Sequence, residues 1–170
     1  MRRFEESELI LNQDGSVFHL HVKPEQLAHK VILVGDPGRV SLVASHFTDI
    51  EMEVQSREFH SITGKYQGKR ITVASTGIGC DNIDIVVNEL DALVNIDFAT
   101  RTEKAEKTSL EIVRIGTCGG LQEYTPVGTF IVSEKSIGFD GLLNFYAGRN
   151  EVCNLALEDA FTKHMHWNPQ

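Results

Sequence analysis

Cysteine is scarce in this chain: Cys80, Cys118 and Cys153 are the only three among 170 residues. They are odd in number and widely spaced, with no Cys-x-x-Cys pair, which argues against a disulfide framework and for reduced thiols. Long apolar runs are missing too, for nothing approaches the roughly 20 residues of a membrane-spanning helix. The opening stretch from Met1 to Gly15 is too acidic and too weakly apolar for a secretory leader, so a cytoplasmic location is expected. Positive charge is in deficit: 16 Lys and Arg stand against 24 Asp and Glu, a formal net charge of −8. That balance argues against nucleic acid or an anionic membrane as the main partner. A small anionic substrate stays open, because a few converging arginines set the local potential whatever the net charge.

Two nucleotide signatures are absent as well. No Gly-x-x-x-x-Gly-Lys-Ser/Thr loop occurs, and Gly77-Ile78-Gly79 fails as a dinucleotide fingerprint because Asn82 holds the third glycine position. The histidines, at 19, 21, 29, 46, 60, 164 and 166, offer no convincing three-ligand spacing for zinc. There is no internal repeat and no low-complexity segment.

What is present reads as one α/β domain, with 41% apolar and 24% charged residues. Residues 1–29 read as an extended arm and residues 30–170 as the body. Lys30 to Val34 is a short apolar run expected to be a strand buried on both faces. Asp36-Pro37 then opens a helix, as N-cap acid and first-turn proline, that continues through Val40, Leu42, Val43 and Phe47. Residues 51–62 alternate weakly, residues 63–69 read as a hairpin connection, and Arg70 to Ser75 as a strand. Ile83, Val86, Val87, Leu90 and Leu93 recur three or four apart, the spacing of an amphipathic helix. Residues 97–111 form a charged, solvated excursion. Strands are expected around Arg114 and over 127–137, and a helix over 151–166. Strand, glycine turn and helix in succession place ligands at the carboxyl ends of the strands.

Three such turns hold the candidate chemistry. In Gly35-Asp36-Pro37-Gly38-Arg39, Gly35 allows close backbone approach, the helix start offers N–H groups, and Arg39 can grip phosphate or carboxylate. The alternative is that Asp36 merely caps the helix and Arg39 is solvated. Ser75-Thr76-Gly77-Ile78-Gly79 can press its backbone against a ligand or a neighbouring loop. The third turn follows Arg114, which stands among Ile112, Val113 and Ile115. An unpaired charge in a buried strand is costly, so Arg114 is paired to an acid, snorkels to water, or waits for an anion that arrives with a ligand. Thr117 shares its strand end and can face the same oxyanion. Cys118 has no activating histidine or acid nearby and reads as a small packed thiol.

Val17-Phe18-His19-Leu20, Gly35-Asp36-Pro37-Gly38-Arg39-Val40, Arg57-Glu58-Phe59, Ser75-Thr76-Gly77-Ile78-Gly79 and Arg114-Ile115-Gly116-Thr117-Cys118-Gly119-Gly120 occur in this order. Together they resemble the nucleoside phosphorylase superfamily, and its uridine phosphorylases more than its purine members. The resemblance runs from about Ser16 to the end. It implies a mixed central β-sheet flanked by helices in three layers, and reversible phosphorolysis of a nucleoside to ribose 1-phosphate and a free base. Gly35, Arg39, Arg114 and Thr117 would hold phosphate, with Arg57 reaching in from a neighbouring subunit. His19, also from the neighbour and beside Phe18, would contact the ribose 5′ end, while Cys118 and Gly119 would line the nucleoside. Glu58 and Ser75 match positions that bind a monovalent cation such as K+ between subunits.

No cofactor is implied beyond phosphate as co-substrate. The minimal unit implied is a homodimer with shared sites, and a hexamer of dimers stays open. The chain departs from the pattern by carrying a longer segment at 97–111. It also stops before the stretches that read the base and hold the ribose hydroxyls, and so is expected to be the first half to two-thirds of a phosphorylase. Uridine is the expected substrate, with a purine nucleoside as the alternative. A hydrolytic nucleosidase is disfavoured by the full set of Arg39, Arg57 and Arg114, and an inactive phosphate-binding fragment is the reading from another class.

Overall fold

The computed structural model of the chain describes residues 2–167. They form two compact units, one reaching to Val127 and the other starting at Gly128.

The first unit is built on a sheet whose central strand is the apolar run noted above. Strand β1 (Lys30–Val34) lies between β4 (Lys69–Ser75) and β7 (Glu111–Ile115), parallel to both. Strands β2 (Thr48–Ser56) and β3 (Phe59–Tyr66) extend the sheet in antiparallel fashion, giving the order β2-β3-β4-β1-β7. The sheet is therefore mixed, as expected. Helix α1 (Pro37–Ala44) joins β1 to β2, and α2 (Cys80–Asn95) follows β4.

Strand alternation sorts the core into two layers, one per face of the sheet. Val31 and Leu33 point with Ala74, Phe59 and Met52 toward Val86, Leu90 and Leu93 of α2. Ile32 and Val34 point the other way, with Val73 and Ile62, onto Val40, Val43 and Ala44 of α1. Both helices thus bury one apolar stripe against the same sheet, which produces the three layers.

The N-terminal segment is more than an arm. Its one helical piece among the described residues is a 3-10 turn at Pro24–Gln26, with isolated β-bridges at Arg3 and between Leu11 and Val17, and Val17, Leu20, Val22 and Leu27 are buried in the α2-side core. Arg70 fastens it from β4, donating to the carbonyls of Leu27 and Glu25, each at 2.8 Å. The excursion at 97–111 folds back as a two-strand ribbon, β5 (Ile96–Asp97) with β6 (Thr102–Glu103). The Asn95 side chain pins its far end, accepting from the Thr108 N–H at 2.7 Å and donating to the Thr108 carbonyl at 3.1 Å.

Some expectations are corrected. The weakly alternating residues 51–62 belong to two strands that turn at Arg57-Glu58, and the next turn narrows to Gln67-Gly68. Residues 127–137 form no strand. Their apolar pattern supplies a face, but a strand also needs a partner for its backbone, and the sheet ends at β7. Val127, Phe130 and Val132 are left almost fully exposed. Strand β7 is likewise an edge, with Ile112, Val113 and Ile115 about half exposed, not the buried strand its composition suggested.

The expected helix over 151–166 is divided into α3 (Arg149–Val152) and α4 (Leu155–His164). Asn154 starts α4 by accepting from the Leu157 N–H at 3.0 Å, so an N-cap residue interrupts what periodicity read as continuous. His166, at the end of that segment, lies in a turn after α4. Within this second unit Trp167 meets Phe139 and Phe161 edge to face and the two phenyl rings are tilted to each other, with ring centroids 5.6–6.2 Å apart.

Candidate functional site

Parallel strands β4, β1 and β7 end side by side, with Val34 in register with both Ser75 and Ile115. The three glycine turns therefore emerge at one edge of the sheet. The two-residue turn between β2 and β3 joins them there, because β3 runs antiparallel to β4.

Arg114, on the outermost strand, reaches over the ends of β1 and β7. A Cβ on Gly35 would stand 3.6 Å from its Nη2, and one on Gly116 would stand 2.6 Å from its Nη1. The guanidinium thus lies across two glycines, and at 116 no other residue fits without moving it. Arg114 is exposed, and no hydrogen bond or ion pair holds it among the described residues. Of the explanations for a charge in this strand, pairing to an acid is not what the structure shows.

Arg39 sits half-buried in the first turn of α1. The Asp36 carboxylate caps that helix, accepting from the Gly38 N–H at 2.8 Å, so that donor is already engaged. The capping reading of Asp36 holds. The Arg39 side chain at this turn has no hydrogen-bond or ion-pair partner among the described residues.

The Arg57-Glu58 turn faces two ways. Arg57, at φ +54°, places its guanidinium carbon 5.8 Å from the ring centre of Phe18, within cation–π reach. The Glu58 side chain packs toward the second glycine turn, where a Cβ on Gly77 would stand 3.0 Å from Glu58 Cγ. Ser75 is fully buried, donating through its hydroxyl to the Glu58 carbonyl at 2.8 Å and accepting from the His60 N–H at 2.8 Å. Glu58 and Ser75 are thus neighbours, joined through backbone rather than through the carboxylate.

Phe18 and His19 meet edge to face at 4.9 Å, with Phe59 on another side of the imidazole at 6.3 Å. Thr117, Cys118 and Gly119 lie in an exposed stretch without regular structure after β7. Cys118 is exposed, which corrects the packed-thiol reading. The structure thus groups Arg114 with Gly35, Glu58 with Ser75, and Arg57 with Phe18 and His19. It brings Thr117, Cys118 and Gly119 into no such group.

One residue escaped the sequence reading. Glu89 of α2 accepts from the backbone N–H groups of His19 (2.9 Å) and Leu20 (2.8 Å) and contacts His19 Nδ1 at 2.7 Å. Its signal was present as an acid three residues after Val86, beside Leu90 on the apolar stripe of the helix.

With this geometry in place, comparison with known proteins is decisive for the family. The phosphorylase superfamily profile matches residues 29–167. The chain belongs to this superfamily. A uridine phosphorylase of Thermococcus kodakarensis is 29% identical over 146 residues, covering 86% of this chain and 48% of that protein. A DeoD-type purine nucleoside phosphorylase of Alkaliphilus metalliredigens is 36% identical over 106 residues, covering 62% of this chain and 40% of that protein. Among solved structures, a Trypanosoma brucei nucleoside phosphorylase described as showing uridine phosphorylase activity superposes with a TM-score of 0.64. It is 36% identical and covers 69% of this chain and 41% of that one. The chain spans about half the length of the curated relatives it matches.

Proposed function

We propose that this chain carries the phosphate half of a nucleoside phosphorylase site, and that the reaction served is phosphorolysis of uridine to uracil and ribose 1-phosphate. The observation that supports it most is Arg114, a guanidinium without a protein partner laid across Gly35 and Gly116 where three parallel strands end. An unpaired cation lying over two glycines suits an incoming oxyanion, because no ion pair has to break when it binds.

In the proposed reaction phosphate oxygen bonds to C1′ as the C1′–N bond breaks, and the electron pair leaves with the base. Positive charge builds on the sugar ring, and a dianion held beneath it by Arg114, Arg39 and Arg57 lowers the barrier by position and electrostatics. No protein nucleophile is required. His19 and Phe18 serve the ribose end, Thr117 adds a hydroxyl to phosphate, and Gly35, Cys118 and Gly119 offer close backbone or small side chains. Glu58 and Ser75 would bind a monovalent cation near the subunit boundary. Arg57 is held to Phe18 and so travels with His19, which favours the three being donated as a set to a partner's site in a homodimer, whether or not dimers build further.

The test is phosphate-dependent release of uracil from uridine by a protein containing this chain. Activity only on inosine or adenosine would move the assignment to the purine branch, which the similarity to a purine phosphorylase keeps in view. For the 170 residues alone, calorimetry showing phosphate binding without nucleoside binding would favour the fragment reading. Arg114→Ala is expected to abolish the phosphate heat in either case.

A further inference from the structure

The His19 imidazole is clamped on several sides but not at one nitrogen. Phe18 and Phe59 hold the ring edge to face, and Glu89 Oε1 lies 2.7 Å from Nδ1. The side chain keeps 26% of its surface exposed, and Nε2 has no hydrogen-bond partner among the described residues. Glu89 is itself fixed: its oxygens also accept the backbone N–H groups of His19 and Leu20 at 2.8–3.2 Å, and only 13% of its side-chain surface is exposed.

A carboxylate only accepts, so the ring nitrogen facing it must be the donor. The bond made by one imidazole nitrogen sets the protonation of the other. We propose that Glu89 is a positioning residue that holds neutral His19 as the Nδ1–H tautomer and presents Nε2 as a hydrogen-bond acceptor toward a nucleoside hydroxyl. The hydroxyl part of this assignment rests on the nucleoside reading given above, whereas the tautomer part does not.

Glu89→Gln separates positioning from scaffolding. With its amide oxygen in the Oε2 position, glutamine can still accept from Leu20 and His19, at the present 2.8 and 3.2 Å, while the 2.9 Å bond from the His19 N–H to Oε1 is lost. Its NH2 would then face Nδ1 as a donor, and the ring proton must move to Nε2. Two of the three backbone bonds to the loop survive while the polarity of the exposed nitrogen inverts.

The experiment is long-range 1H–15N correlation of the imidazole nitrogens at about pH 8.5, well above the ordinary imidazole pKa of about 6.5. His19→Gln assigns the His19 signals. Wild type is expected to show a protonated Nδ1 and a bare Nε2, and Glu89→Gln the reverse. A wild-type Nε2–H tautomer overturns the proposal by itself, even if the variant does not fold, and so does an unchanged tautomer in a folded Glu89→Gln.

Binding of uridine and 5′-deoxyuridine supplies the second arm. Wild type is expected to prefer uridine by about tenfold, the scale of one good hydrogen bond, and Glu89→Gln to lose most of that preference. A preference that survives inversion of the tautomer counts against Glu89 as a positioning residue. The expected tautomers without any uridine preference in wild type would instead sink the nucleoside reading, while the assignment of Glu89 to the tautomer stands.

Discussion

Gly77 and Arg114 lie at the same edge of the sheet and fail in different ways when replaced. Gly77 holds φ +65°, and a Cβ there would stand 2.8 Å from Asn82 Nδ2 and 3.0 Å from Glu58 Cγ. Gly77→Ala combines left-handed strain with a clash, so a loss of about 1–2 kcal/mol is expected in chemical denaturation. Arg114 is exposed and unpartnered, so Arg114→Ala should leave stability within about 0.5 kcal/mol of wild type while removing phosphate binding. If Arg114→Ala unfolds the chain, the residue is structural and this account of the phosphate site fails. Sequence alone singled out Arg114, but on the premise of a buried strand. The strand is an edge, and the charge meets water where a buried cation was expected. Glu89 went unread because helical periodicity sorts residues by face and cannot show what a half-buried carboxylate touches across 70 residues of chain.

At the scale of elements, the sequence spoke clearly wherever a local rule decided the outcome. β1 was visible as an apolar run, α1 from Asp36-Pro37, and α2 from its stripe. The Arg57-Glu58 turn was invisible because neither residue is the glycine, asparagine or aspartate that such hairpin turns favour. Residues 127–137 were misread for a different reason, since pairing depends on a partner strand that local pattern does not reveal.

Register also places Glu111 beside Lys30, at the start of the β1–β7 pairing, and the two form an ion pair. The Lys30 hydrogen bond first, and its charge second, hold the Glu111 carboxyl below its ordinary value of about 4.5. A depressed carboxylate stabilises the folded chain above its unfolded pKa, and that contribution fades as pH falls through the folded value. Glu111→Gln should therefore lower the melting temperature slightly at neutral pH, with the deficit fading as pH falls through the depressed pKa of the folded carboxyl. A deficit that persists unchanged in acid would mean that packing, not charge, ties this corner of the sheet.

On the scale of the whole molecule, the fold holds two of the arginines in separate groups. Arg114 belongs to the sheet edge with Gly35, while Arg57 is held by Phe18 next to His19. In the proposed dimer each site takes Arg114 from one subunit and Arg57 from the other. Arg57→Ala and Arg114→Ala homodimers would then each lack a phosphate contact at both sites. Mixing and refolding the two variants at equal amounts gives heterodimers as half of the population, each with one complete site and one lacking both arginines. Recovered high-affinity phosphate sites should approach about a quarter of the wild-type number, as two-fold symmetry requires. The count is read by calorimetric stoichiometry after refolding, against each variant refolded alone. No recovery, with heterodimers demonstrated by a size tag, would place Arg57 and Arg114 in the same subunit's site. The dimer would then be dispensable for binding phosphate, and the Phe18-His19-Arg57 group would serve the chain that carries it.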